Sequence, residues 1–321
     1  MNPDAPASSA PALPARKLLA HPLAWIVLAL SLGASTGGWL IARRHEELAA
    51  QKRFDEEARL IQMALTERMA VYQDVLHGGL GLFAASYSVE RAEWKTYVDK
   101  VSVNRRFPGI DGLGFIACVP REKLEEFVAV TRADKTPEFA VKNPGTNADL
   151  FLIKYLEPEA QHAASIGWDI GADPGRRAVA EKARDTGAAV ISGPLELMNA
   201  GPEKPSGLVM LLPVFRNGAA TATLDERRAG IAGWVFARFV SVQLMRDVLQ
   251  GKDARLRFQV HDLDEQGNGS LIFDTHPAGP GGAVPHFTAD YPFGIGQRHW
   301  RLSFSSTPAF EAGLSHSPEV L

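Results

Sequence analysis

The sequence predicts an α+β protein that begins with a transmembrane helix and a long helical stalk. Three observations support this: an uncharged apolar segment near the N-terminus, a helical stretch with apolar residues every three or four positions, and then short apolar runs that alternate with helical segments. Alternation of this kind is typical of mixed helix and sheet units. We therefore expect two successive α/β units after the stalk.

The apolar segment runs from Leu18 to Ala42, about 25 residues without Lys, Arg, Asp or Glu, and Arg43 and Arg44 follow it. At about 1.5 Å per residue, a helix of this length can cross a bilayer core of about 30 Å. A cleaved signal peptide is the alternative, but its apolar core is usually only about 7–15 residues long. We interpret 18–42 as a retained transmembrane helix and 1–17 as a disordered tail. Basic residues flank both ends, so charge does not decide the orientation.

The stalk is predicted from composition and spacing. From Arg43 to about Leu76 the chain is rich in Ala, Glu, Leu, Arg and Gln and lacks Pro and Gly. Its apolar positions are spaced as in a coiled-coil seam with one stutter. They are Phe54, Ala58, Ile61, Leu65, Met69, Tyr72 and Leu76. This helix either lies on its own domain or pairs two subunits. We favour pairing because the helix leads directly out of the membrane, and we expect Gly78, Gly79 and Gly81 to break or bend it.

Periodicity and the Gly and Pro stops place the remaining elements. Predicted helices are 90–104, 121–133, 174–186 and 240–249, with a helical turn at 221–228. Predicted strands are 110–119, 139–142, 150–156, 188–192, 208–215, 230–237, 256–262, 271–274, 290–293 and 300–305. Residues 202–205 are expected at the tip of a loop.

Composition excludes several classes of function. The formal net charge is −3 and no basic run is present, which argues against binding to nucleic acid. Cys118, the single cysteine, cannot form an intramolecular disulfide and is expected in a buried strand. The nine histidines show no pair at metal-ligand spacing, and neither a Gly-x-Ser-x-Gly elbow nor a His-Glu-x-x-His motif occurs. We therefore predict no catalytic residues, no metal and no cofactor.

Four segments, in order, carry a resemblance to a known family. They are Phe107-Pro-Gly-Ile-Asp-Gly-Leu-Gly-Phe115; Tyr155-Leu-Glu-Pro158 with Ile166-Gly-Trp-Asp169; Arg176 to Gly187 with Val190-Ile-Ser-Gly-Pro194; and Leu211-Leu-Pro-Val-Phe215 with Gly233 to Phe236. Over about residues 107–306 the chain resembles the CHASE family, the exterior sensor domains of membrane receptors that include the plant cytokinin receptors.

This resemblance implies a CHASE-type sensor with two tandem PAS-like α/β subdomains. The implied domains are a cytoplasmic tail (1–17), the transmembrane helix (18–42), a stalk and dimerisation region (43–106), a membrane-distal subdomain (107–228), a membrane-proximal subdomain (229–306) and a linker (307–321). It also implies a sensor in the periplasm of a bacterial inner membrane. A second transmembrane helix and an output domain, such as a histidine kinase or diguanylate cyclase, would follow. We therefore expect the chain to be truncated or to come from a degenerate receptor.

The resemblance further implies a small apolar ligand cavity in the membrane-distal subdomain. Asp149 stands near the place of the carboxylate that holds the adenine ring in cytokinin-binding members, and Ser192 near a hydroxyl residue of those members. The full set of expected ligand contacts is Asp149, Phe151, Ile153, Tyr155, Trp168, Asp169, Ser192, Leu195 and Leu212.

Each polar or aromatic candidate also has a structural interpretation. Asp149 could cap a turn, Asp169 could accept backbone N–H groups at the start of the next helix, and Ser192 could be buried with a backbone partner. Trp168 could pack in the core. Arg176 and Arg177 could be solvated helix residues or could pair with Asp169.

Three functions remain open from the sequence. The first is a receptor module that senses an adenine derivative, another metabolite or a peptide, and works as a homodimer through the stalk. The second is a membrane-anchored dimeric adaptor without a ligand. The third, which we favour least, is a periplasmic hydrolase.

Overall fold

The computed structural model describes residues 22–197, 206–249, 255–264, 266–275 and 284–314. The helices are α1 (Pro22–Ala85), α2 (Arg91–Val101), α3 (Val103–Arg106), α4 (Leu124–Ala133), α5 (Glu159–His162), α6 (Pro174–Thr186), α7 (Leu224–Gly230), α8 (Ser241–Leu249) and α9 (Pro308–Leu314). The strands are β1 (Ile110–Pro120), β2 (Asp149–Glu157), β3 (Val190–Ile191), β4 (Leu195–Glu196), β5 (Ser206–Phe215), β6 (Ile231–Val240), β7 (Leu256–Leu263), β8 (Gly269–Asp274), β9 (Thr288–Ile295) and β10 (Arg298–Ser306). Several predicted segments lie outside the described residues: the tail, the first four residues of the predicted membrane helix, the loop tip at 202–205 and the end of the linker.

The chain divides into two units, residues 1–53 and 54–321. The described part of the first unit is the beginning of α1. Its apolar side chains are exposed, including Trp25, Leu32 and Trp39. Within the described residues, one helix is long and apolar enough to cross a membrane. This agrees with the predicted transmembrane segment.

The second unit contains two antiparallel sheets. The first sheet has the strand order β2-β1-β6-β5-β3, and β4 pairs with β5. One face of this sheet packs against α6, in a core that includes Ile116, Leu211 and Phe236. The other face receives α1, where Tyr72 lies 5.1 Å from Phe239 between ring centroids. The sheet is therefore covered on both faces, as its long apolar strands require.

The second sheet is smaller and has the order β8-β7-β10-β9. Its strands alternate buried and less buried positions, and its core includes Phe258 and Phe304 with ring centroids 5.1 Å apart. The turn between β9 and β10 meets the edge of the first sheet, where the Ile191 N–H donates to the Gly296 carbonyl at 3.0 Å. The predicted α+β class with two PAS-like subdomains behind an apolar helix is confirmed.

The boundary between the two subdomains requires a correction. Strand β6 was assigned by sequence to the subdomain that starts at residue 229, yet it pairs with β1 and β5 at the centre of the first sheet. The second subdomain therefore begins after β6. Sequence spacing did not reveal this because β6 joins partners that are distant in the chain. The predicted strand at 139–142 is also absent, and only Lys142 forms an isolated bridge there, to Trp168.

The apolar seam of the stalk also requires a correction. Phe54, Ala58, Leu65, Met69, Tyr72 and Leu76 are buried within a single chain. Phe54 packs against Phe287 and Phe310, with ring centroids 5.8 and 6.1 Å away. The prediction that this seam pairs two subunits is therefore wrong. The helix lies on its own domain, which was the alternative interpretation of the sequence. It does so because aromatic residues of the same chain pack against the seam.

The glycines near the end of α1 do not break it, since the helix continues to Ala85. Gly79 lies so close to the sheet that an added Cβ would come 3.0 Å from a methyl group of Val235. A Cβ on Gly78 would meet the Tyr97 hydroxyl, which donates to the Val75 carbonyl at 2.8 Å. Glycine is therefore used here for close packing of the helix rather than for a turn.

Candidate functional site

A cavity of about 40 Å³ lies in the first subdomain, between α6 and the face of the first sheet. Most of its wall is aliphatic or aromatic, and two arginines and two serines complete it. The lining residues are Ile116, Ile153, Leu156, Ser165, Ile170, Arg176, Val179, Ser192, Leu195, Leu197, Val209, Leu211, Phe236 and Arg238. An apolar cavity with a few polar groups has the usual character of a ligand site.

A β-bulge decides which residues of β2 face the cavity. Phe115 pairs with Tyr155 and the next residue, Ile116, pairs with Ile153, so Lys154 is the extra residue. A bulge of this kind interrupts the alternation of side chains along a strand. Ile153 and Leu156 therefore face the cavity. Tyr155 does not line it, and its hydroxyl donates to the Val89 carbonyl at 2.8 Å.

Three of the predicted contacts line the cavity: Ile153, Ser192 and Leu195. The Ser192 side chain is fully buried, and both roles of its hydroxyl are used by the backbone. It donates to the Gly193 carbonyl at 2.7 Å and accepts from the Val209 N–H at 3.0 Å. Ser192 thus shapes the wall, and its hydroxyl proton is already engaged.

Asp149 and Phe151 lie at the start of β2 and are absent from the cavity wall. The Asp149 carboxylate forms an ion pair with Arg177. The same guanidinium lies 4.3 Å from the centre of the Phe151 ring. Burial, with the nearby Asp149 charge, raises the pKa of the Cys118 thiol to about 12. Through these contacts with Asp149 and Phe151, Arg177 holds α6 against the edge strand β2.

Asp169 is buried and serves the backbone. Its Oδ1 accepts from the Phe151 and Gly171 N–H groups, and its Oδ2 accepts from the Gly145 N–H, each at 2.9 Å. Asp173, not Asp169, caps α6 by accepting from the Arg176 N–H at 2.8 Å. The half-buried Trp168 packs against the core beside this loop and does not line the cavity.

Leu212 lies on β5 and is absent from the cavity wall, whereas its neighbour Leu211 lines it. Because side chains alternate along a strand, Leu212 points to the opposite face of the sheet. The predicted contact therefore lies on a strand that lines the cavity, one residue away from the position that faces it.

The charged residues of the cavity, Arg176 and Arg238, were not among the predicted contacts. Arg176 on α6 donates through Nη2 to the Glu196 carbonyl at 2.7 Å. Arg238 sits within the buried strand β6, and its Nε lies 2.7 Å from Asp111 Oδ2. A single arginine within an otherwise uncharged apolar strand, Ile231–Val240, is the feature of the sequence that could have pointed to this site.

Burial governs the electrostatics around the two arginines. It lowers the pKa of Arg176 and of Arg238 from the usual range, and the charge of Arg176 contributes to the lowering at Arg238. Beneath Arg238, burial lowers the pKa of His162, whose Nε2 lies 2.9 Å from the Asp111 carbonyl oxygen. Within the part of the chain that the structure describes, no three His, Cys, Asp or Glu side chains are grouped to hold a metal ion.

Comparison with known families decides the identity of this domain. Residues 87–273, which include the whole first sheet and the cavity, match the CHASE domain family. The chain belongs to the CHASE family. A CHASE domain is a sensor, so the family places this domain among the extracellular sensors of signalling receptors.

A curated relative and two solved structures are similar to this CHASE chain. Hybrid signal transduction histidine kinase A of Dictyostelium discoideum is 28% identical over 133 residues, 39% of this chain and 6% of that protein. The chain thus spans a small fraction of this relative's length. The periplasmic sensory domain of the Campylobacter jejuni chemoreceptor Tlp1 is similar with a TM-score of 0.49 and 10% identity, over 87% of this chain and 99% of that one.

The second structure is an extracellular ligand binding receptor from Desulfohalobium retbaense. It gives a TM-score of 0.45 and 13% identity, over 77% of this chain and 39% of that one. These TM-scores mark loose similarity in overall shape.

Proposed function

We propose that this chain is the extracytoplasmic ligand-sensing module of a membrane-bound signalling receptor. In this proposal α1 anchors it in the inner membrane of a bacterium, the two sheets lie in the periplasm, and binding of a small molecule changes an output domain across the membrane. The observation that carries the proposal is the cavity between α6 and the first sheet, which combines apolar walls with the buried Arg238 and the half-buried Arg176 in a domain of a sensor family. A ligand acts here only if it binds one arrangement of the domain better than another.

A thermal-shift screen of the full chain in lipid nanodiscs tests ligand binding. The library contains adenine derivatives, amino acids, short peptides and small organic acids. A ligand at about 100 times its dissociation constant stabilises the fold by about 2.7 kcal/mol, which shifts the midpoint clearly.

The variant Val179→Phe fills the cavity from α6 and is expected to abolish the shift. The control Val130→Phe makes the same change at an exposed position on α4 and is expected to preserve the shift. A ligand that stabilises both variants equally binds elsewhere and contradicts the proposal.

We also propose that the module is a homodimer, through the outer face of α1 rather than the buried seam. Exposed positions recur there with spacings of four and three residues. They are Glu56, Leu60, Met63, Glu67, Ala70, Asp74, His77 and Gly81. Leu60 and Met63 are 65% and 59% exposed in the single chain. A heptad spacing with apolar residues at its centre is compatible with pairing of two helices.

Disulfide crosslinking tests the dimer. In a Cys118→Ser background, Met63→Cys is expected to give a covalent dimer on mild oxidation. Glu125→Cys, exposed on α4, is the control and is expected to stay monomeric. Equal crosslinking of both variants, or of neither, contradicts pairing through this face.

A further inference from the structure

A second concave site, a groove of about 330 Å³, is lined by residues of α2, α3 and the end of β2. It is separate from the cavity beside α6, because the two share no lining residue within the described part of the chain. We propose that this groove binds a small primary amine, whose ammonium group donates a hydrogen bond to the Glu157 carboxylate. This site goes beyond the proposed sensor function and does not depend on what occupies the cavity.

The carboxylate of Glu157 is the group that calls for a cation. The residue is only 9% exposed, and it lines the groove. Its Oε2 accepts from the Glu159 N–H at 3.0 Å. Among the residues that the structure describes, this is its one hydrogen bond, and no Lys, Arg or His forms an ion pair with it. Buried charges are normally paired, so a cation in the groove would supply the missing partner.

Two basic side chains near this carboxylate are already engaged with other acids. The Lys95 ammonium donates to Asp99 at 2.8 Å, one turn further along α2. Arg91 forms an ion pair with Glu159. Both positive charges act on Glu157 from a distance, without a direct bond. Neither side chain therefore takes the place that a ligand cation would occupy.

The electrostatics of the buried carboxyl agree with a cationic ligand. Burial raises the pKa of Glu157, the positive charges of Lys95 and Arg91 oppose this in part, and the negative charge of Asp99 adds to it. The ionised form is thus disfavoured in the free protein. An ammonium group at hydrogen-bond distance would favour the ionised form and would replace part of the hydration lost on burial.

The walls of the groove favour an alkylamine over other cations. Val98, Val103 and Pro158 give it an apolar side against which a short alkyl chain can pack. Its volume lies at the lower end of the range for small-molecule pockets, about 300–1,000 Å³. A calcium ion would need six to eight oxygen ligands, and within the described residues no three His, Cys, Asp or Glu side chains are grouped to hold a metal ion.

A guanidinium group suits the groove less well than an ammonium group. Guanidinium binds best when it donates to both oxygens of a carboxylate at once. At Glu157, Oε2 already accepts from the backbone, so Oε1 is the oxygen left for a donor from the ligand. A compact ammonium group, which donates single bonds in several directions, matches this arrangement.

Calorimetric titration of the full chain in nanodiscs tests the site, with n-butylamine as the probe at pH 7.5 and constant ionic strength. n-Butanol has nearly the same shape without the charge and is the ligand control, and empty nanodiscs correct for partition into lipid. Glu157→Gln keeps an oxygen for the Glu159 N–H and removes the charge. It is expected to weaken butylamine binding by about ten- to hundredfold, the usual effect of losing a hydrogen bond to a charged group.

Three further variants serve as controls. Glu125→Gln makes the same change at an exposed position on α4 and is expected to leave binding unchanged. Lys95→Gln and Arg105→Gln each remove an exposed positive charge from the wall of the groove. Because water screens exposed charges, each is expected to change binding by less than about threefold.

Saturable binding of butylamine, no binding of butanol and the expected loss in Glu157→Gln together support the amine site. Failure of butylamine to bind, equal binding of butanol, or the same affinity in Glu157→Gln overturns it. An equal loss in Glu125→Gln shows a general effect of net charge and overturns it too. A tenfold or larger gain in Lys95→Gln or Arg105→Gln also contradicts the site, since the replaced side chain is then the partner of the carboxylate in solution.

Discussion

Replacing Asp169 by Asn tests whether this residue is a structural anchor. The side chain is 1% exposed and its two oxygens accept three backbone N–H groups at 2.9 Å. These bonds join the loop at Gly145, the start of β2 and the turn before α6. Asn keeps one oxygen, which can still serve Phe151 and Gly171. Its amide group then faces the Gly145 N–H, so two donors meet.

The expected loss of stability can be assembled from these contacts. The lost bond to a charged acceptor is worth about 1.5–3 kcal/mol, and the two retained bonds each weaken by about 0.5–1 kcal/mol when the acceptor becomes neutral. Burying a neutral amide is easier than burying a carboxylate, which offsets part of the sum. We expect Asp169→Asn to lower the free energy of unfolding by about 2–3 kcal/mol.

Urea unfolding of the full chain in detergent, followed by tryptophan fluorescence, measures this change. The slope with urea should stay constant while the midpoint falls. Asp173→Asn is the control, because Asp173 is exposed, accepts one N–H, and Asn is an equally good cap. Its expected effect is below about 0.5 kcal/mol. Equal losses in the two variants, or no loss in Asp169→Asn, would refute the reasoning.

Three further predictions concern buried polar groups. Burial lowers the pKa of His162, so the unfolded state binds the proton more readily and the free energy of unfolding falls as the pH drops below about 6.5. This loss amounts to at most about 1.4 kcal/mol per pH unit. The variant His162→Gln should remove it when the free energy of unfolding is measured in urea between pH 7.5 and 5.5. Because the Cys118 pKa is raised to about 12, a thiol reagent at pH 8 should label it only in denaturant; rapid native labelling would contradict this. Tyr72→Phe removes a buried hydrogen bond to Asp247 and should lower the free energy of unfolding by about 1–2 kcal/mol in the same urea assay; an unchanged midpoint would show that the bond contributes nothing.

Helix ends that depend on a few neighbouring residues were predicted correctly from the sequence. Helix α6 begins at Pro174 and ends at Thr186 as expected, because Asp173 caps its start and Gly187 takes the left-handed conformation at its end. Those preferences are properties of a few neighbouring residues. The sequence is therefore sufficient to place this helix.

Features that depend on distant partners were not predictable in this way. The bulge at Lys154 exists only because β1 and β2 pair out of register there, and it turns Tyr155 away from the cavity. From the sequence alone, the apolar seam of α1 has the spacing of a dimer interface. In the structure it is covered within one chain, because Phe287 and Phe310, more than 200 residues later, pack against Phe54. Periodicity shows that one face of a helix is apolar, but it does not show which residues or which chain will pack against that face.

The candidate site likewise combines features that the sequence indicated with features that depend on distant parts of the chain. Of the ligand contacts that the resemblance to the family implied, three line the cavity, namely Ile153, Ser192 and Leu195, and their role in binding stays a prediction. The resemblance also directed attention to Asp149, whose carboxylate is paired with Arg177. The arginines of the cavity come from α6 and β6, and only the sheet order places them together.

Strand β6 connects the cavity wall to the part of α1 that packs on the other face of the sheet. Arg238 lies in the cavity wall, and the next residue, Phe239, projects to the other face of the sheet and contacts Tyr72 of α1. The Tyr72 hydroxyl bonds to Asp247, which also accepts from the Gly109 N–H at 3.3 Å. A shift of β6 that alters the spacing of the two cavity arginines therefore alters the packing under α1 as well. In the sensor function proposed above, a ligand that binds one spacing better would favour the matching position of α1 through this strand.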